Sequence, residues 1–72
     1  MHNLEVLKDS ITESQATELI FDGCRDNEAR EPRQLRDGYS IKFYVLIKGC
    51  EAVLRDPEGI VVALANVDDS DC

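Results

Sequence analysis

Most of the large apolar side chains fall between Tyr39 and Asn66, in three β-type runs punctuated by turn signals. The stretch reads Tyr-Ser-Ile-Lys-Phe-Tyr-Val-Leu-Ile-Lys, Gly-Cys, Glu-Ala-Val-Leu-Arg-Asp, Pro-Glu-Gly, then Ile-Val-Val-Ala-Leu-Ala-Asn. This predicts three strands separated by two turns. Gly49-Cys50 suits the centre of a two-residue hairpin loop, because glycine at its first position satisfies a type II′ turn. That register sets Lys48 opposite Glu51, Ile47 opposite Ala52, Leu46 opposite Val53, Val45 opposite Leu54 and Tyr44 opposite Arg55. Since side chains alternate across a strand, Ile41, Phe43, Val45, Ile47, Ala52 and Leu54 share one apolar face. Ser40, Lys42, Tyr44, Leu46, Lys48, Glu51, Val53 and Arg55 share a mixed one, the pattern of an antiparallel sheet with one covered side. Asp56-Pro57-Glu58-Gly59 supplies the second turn. The third run, Ile60 to Ala65, is apolar on both faces and calls for a neighbour or cover on each side.

Ahead of the sheet, the spacing changes from two to between three and four. Ala16, Leu19, Ile20 and Cys24 fall on one stripe of a helix, the natural lid for the apolar sheet face. Thr12 with Gln15 forms a capping-box pattern, and Glu13 suits the positive end of the helix dipole. Ser10 with Glu13 offers the same pattern two residues earlier. Ile11 is placed to staple onto Ala16, and Gly23 weakens the last turn. Leu4 and Val6 alternate as an edge strand would, with a first helical turn as the alternative. Residues 25–38 read as a polar, solvated connector with a helical turn around Gln34-Leu35 and a turn at Asp37-Gly38. Residues 67–72 read as a frayed acidic tail. The predicted fold is α+β: one amphipathic helix on a small antiparallel sheet, in the order β-α-β-β-β, with a three-stranded meander in the C-terminal half.

Composition narrows this to a single domain over residues 1–72. A chain of 72 residues buries only about 60% of its unfolded surface, so self-association or a larger partner is the expected supplement to its stability. No apolar run approaches the roughly 20 residues of a membrane helix, and no basic-plus-apolar start reads as a signal peptide. The expected compartment is the cytosol. Cys24, Cys50 and Cys72 form no CxxC pair and read as reduced thiols, with a thiol sensor as a weaker alternative. His2, the single histidine, sits too near the terminus to anchor zinc, and no cofactor or metal is expected.

Charge changes the picture more. The formal net charge is −7, a field that repels phosphate and argues against direct nucleic-acid binding. The acids cluster toward the two ends of the chain, while residues 25–55 are mixed. Glu18, Asp22 and Asp26 would line the outer side of the helix, either as a solvated face or as a row of carboxylates offered to a basic partner. The candidate partner-binding residues are Glu13, Glu18, Asp22, Asp26, Glu58, Asp68, Asp69 and Asp71.

Catalytic signals are missing. The four glycines are scattered rather than gathered into a phosphate loop. A nucleophile–histidine pair would have to recruit His2, and Asp68-Asp69-Ser70-Asp71 lacks the glycine and distal glutamate of a calcium loop. The expected function is therefore non-catalytic: an inhibitor or adaptor occupying a basic surface of a larger protein. Phage-type anti-defence inhibitors, anti-CRISPR proteins among them, are the leading example by size and charge alone. The alternative is a homo-oligomeric structural or regulatory domain, a homodimer in its simplest form.

Overall fold

A computed structural model of the chain describes residues 1–25 and 32–68. Its elements are β1 (His2–Val6), α1 (Glu13–Arg25), β2 (Arg33–Gln34), β3 (Ser40–Val45), β4 (Cys50–Arg55) and β5 (Val61–Val67), with a 3-10 turn at Arg36–Gly38. The five strands form one antiparallel sheet in the order β1-β5-β4-β3-β2. One helix lies on one face. The α+β class and the meander of β3, β4 and β5 are as the pattern predicts, while β2 adds a short strand in the stretch read as a connector.

The helix starts where its cap dictates. The Thr12 N–H donates to Gln15 Oε1 at 2.9 Å, and the Gln15 N–H donates to Thr12 Oγ1 at 3.1 Å. This reciprocal box satisfies two otherwise orphaned donors and selects Thr12 over Ser10 as the start. Ile11, Ala16, Leu19 and Ile20 are buried against Ile41, Ala52, Leu54, Ala63, Ala65 and Val67 of the sheet. Full burial of side chains such as Ile20, Ile41 and Leu54 stabilises by roughly 1.5–3 kcal/mol each. At the far end of the helix, Arg33 Nη1 donates to the Gly23 carbonyl at 2.5 Å and its guanidinium lies over the Phe43 ring, 5.0 Å from the centroid. β2 is thereby fastened to both the helix C-terminus and β3, and Arg33 is half-buried rather than solvated.

The β3–β4 hairpin departs from the predicted register. Tyr44 pairs with Glu51 rather than Arg55, and Val45 pairs with Cys50, so Leu46–Gly49 forms a four-residue loop. Gly49 explains the change. It takes φ +83°, and a Cβ there would collide with the backbone carbonyl of Val67 on β5. It therefore belongs at the close of the loop, under β5, where no side chain fits; the Leu46 N–H donates to its carbonyl at 3.0 Å. The loop carries the chain beyond the helix, so Val45 and Ile47, expected on the covered face, are 86% and fully exposed respectively.

Two further expectations are corrected. The helical turn lies at Arg36–Gly38, not around Gln34-Leu35, because Asp37 and Gly38 take φ of +58° and +81° and reverse the chain into β3. Val67 is a buried residue of β5 rather than the start of a frayed tail, since it pairs with Cys50; residues 69–72 lie outside the described residues. β5 has the neighbour on each side that its apolar pattern calls for, since β1 pairs along its outer side and β4 along the other. A bulge where Arg55 pairs with Val61 leaves Val62 fully buried in the core cluster. The Asp56–Gly59 turn forms as predicted, with Asp56 Oδ1 accepting from the N–H groups of Glu58 and Ile60 at 2.9 Å each.

Gly23 is a packing residue. A Cβ at this position would lie 2.7 Å from Ile41 Cγ2, so the helix approaches β3 only because nothing projects there. In an unconstrained helix Gly→Ala stabilises by up to about 1 kcal/mol. Here Gly23→Ala is expected to destabilise by about 1–3 kcal/mol through overpacking, read from the urea midpoint; a gain in stability would show slack between helix and sheet.

Candidate functional site

The five candidate carboxylates among the described residues do not gather at one place. Asp26, Asp69 and Asp71 lie outside the described residues. Glu13 is exposed at the helix N-terminus. Glu58 sits in the β4–β5 turn and Asp68 follows the other end of β5, so the seven residues of that strand, roughly 23 Å of chain, separate them. Glu18 and Asp22 do share the outer side of α1, but arginines already hold them. Arg36 Nη2 lies 2.6 Å from Glu18 Oε1 and 2.8 Å from Asp22 Oδ2, and Arg25 Nη2 lies 3.0 Å from Asp22 Oδ1. The Glu18 hydrogen bond, followed by the Asp22 charge, holds the Arg36 guanidinium above its ordinary pKa. The predicted acidic ridge is thus a mixed ion-pair network, in which the 3-10 turn folds its arginine back over the helix.

Beneath that network lies an open groove of about 170 Å³, lined by Ile11, Gln15, Glu18, Leu19, Arg36, Asp37 and Tyr39. It falls below the roughly 300 Å³ at which small-molecule sites begin. Among the described residues, no three of His, Cys, Asp and Glu gather in a way that could hold a metal ion.

The surface feature that sequence reasoning misplaced is the β3–β4 tip. Tyr44, Val45, Leu46 and Ile47 are consecutive exposed apolar side chains. Tyr44 and Val45 end β3, and Leu46 and Ile47 open the loop; at the close of that loop Gly49 approaches Asp68 closely enough that a Cβ would lie 3.3 Å from its Cα. His2 Nε2 lies 3.0 Å from Asp68 Oδ2, which tethers the start of β1 to the same end of the molecule. Glu51, paired with Tyr44, faces the side of the sheet that the helix leaves bare. An unbroken apolar run from Phe43 to Ile47 was the available signal, since a half-buried strand would have alternated.

These features define a small α+β protein with a one-helix, five-strand open sandwich and an apolar hairpin end. No protein-family model matches the chain, and neither the curated proteins nor the solved structures contain a significant match. No helix among the described residues is long and apolar enough to cross a membrane.

The Arg36 clamp is exposed and therefore screened by salt. Arg36→Gln is expected to lower the urea midpoint slightly at low ionic strength and to leave it unchanged in about 0.5 M salt. An equal loss in both conditions would mean that Arg36 acts through packing of its stem.

Proposed function

We propose that the chain is a non-catalytic, cytosolic protein-binding module, an inhibitor or adaptor that docks on a basic surface of a larger protein. The observation that carries this reading is the β3–β4 hairpin end, where Val45 and Ile47 stand in solvent on a molecule of net charge −7. β-branched side chains on a closed hairpin lose little further freedom on binding, which favours them as anchors in a partner's pocket. The carboxylates act at longer range, drawing the chain toward positive potential and repelling phosphate. Glu18 and Asp22 contribute less than their number suggests, because Arg36 and Arg25 neutralise them. Glu51 pairs with Tyr44 at the start of β4, and Lys48 supplies the one positive side chain of the loop. A partner that normally holds nucleic acid fits this charge, and a phage-type anti-defence inhibitor remains an example by analogy of size and charge.

The test is capture from native, nuclease-treated lysate with tagged wild type, Val45→Ser/Ile47→Ser and Asp68→Lys, eluted by a salt gradient. The wild type is expected to retain a stoichiometric basic protein that rising salt releases. The double tip variant should weaken its binding at least about tenfold, the range of anchor truncation, with a smaller loss for Asp68→Lys. A partner held equally by all three and insensitive to salt, or recovery of bait alone, would remove the reading.

A further inference from the structure

The helix covers one face of the sheet, and the strand register maps the other. Ile41, Leu54 and Ala63 lie in the core, so the adjacent row in the pairing points the opposite way. Across the strands that row reads Glu5 on β1, Leu64 on β5, Val53 on β4 and Lys42 on β3. It carries an acid at one end, a base at the other and two aliphatic residues between them. Val53 is only 7% exposed and stands outside the core cluster. Lys42 extends over the Tyr44 ring, 5.1 Å from the centroid. Glu5 and Lys42 are three strand spacings apart, roughly 14 Å, too far to pair within one copy.

We propose that this bare face is a homodimer interface, and that the row Glu5-Leu64-Val53-Lys42 pairs with itself. A two-fold axis parallel to the strands, between β5 and β4, sets Glu5 over Lys42 of the second copy, Leu64 over Val53, and the reverse on the other side. The next row is compatible, since Asn66 then faces Glu51 and can donate to its carboxylate. A two-fold axis perpendicular to the strands would instead bring Glu5 against Glu5 and Lys42 against Lys42. Like charges across an interface are strongly disfavoured, so electrostatics selects the first arrangement. Sheets packed face to face lie about 10 Å apart, within reach of both long side chains. The four strands offer roughly 300–400 Å² of sheet in projection per copy, about half of what a standard interface buries on each partner, so the dimer is weak and depends on concentration. The strand-parallel axis also keeps both β3–β4 tips at the same end, where a single larger partner or two neighbouring ones meet them bivalently.

Sedimentation equilibrium from about 1 μM to about 1 mM tests this with wild type, Glu5→Lys, Lys42→Glu, the double exchange and Val45→Ser/Ile47→Ser. The wild type is expected to pass from one chain mass toward two. Each single reversal should weaken association at least about tenfold, and the double exchange should restore it, which a merely damaged fold would not do. A wild type that stays monomeric throughout overturns the assignment. So does association that ignores the single reversals, or that vanishes in the tip variant, which would move the interface to the hairpin.

Discussion

One helix has to serve a sheet wider than itself. An α-helix with its side chains is about 10–12 Å across, whereas five strands span roughly 19 Å. The core forms beneath α1, over Ile41, Leu54, Ala52 and the small residues Ala63 and Ala65. Gly23 permits the approach by leaving no Cβ against Ile41. Everything else about the surface follows from where that single layer stops. Past its reach, Val45 and Ile47 enter solvent; Val53 and Leu64 lie on the opposite face.

Arginines extend the helix's hold by other means. Arg33 joins the Gly23 carbonyl to the Phe43 ring, which gives the end of the helix a satisfied acceptor and gives β2 a reason to exist with only two residues. Arg36 reaches back from the 3-10 turn to Glu18 and Asp22. These two contacts turn a polar connector into part of the fold. They also decide which acids are available: the helix acids are occupied, whereas Asp68 lies beside Gly49 with His2 as its hydrogen-bonding partner. Net charge sets the sign of the long-range field, but the arginines set its shape.

Much of the architecture was legible in local pattern. The capping box, the helical stripe, the turn at Asp56–Gly59 and the alternation of β3 and β4 are each encoded within a few residues. The hairpin register was not, and the reason is physical. Moving the pairing of Tyr44 from Arg55 to Glu51 is an even shift, and an even shift preserves every side chain's face. Alternation is blind to it. The deciding contact, Gly49 beneath the Val67 carbonyl, joins residues from different strands. The candidate site failed similarly: charge counting found the acids, but their separation by β5 and their neutralisation by Arg36 are long-range facts.

The sequence by itself determined the elements, because capping, periodicity and turn chemistry act between residues a few positions apart. It also determined the sign of the molecule's field, since net charge is a sum that needs no geometry. Only the tertiary structure decided that β1 would complete the sheet beside β5, that Val45 and Ile47 would lie outside the core, and that Glu5 and Lys42 would end the same row. Those outcomes depend on which distant strands meet and how far one helix can reach. Neither is written in any local stretch of the chain.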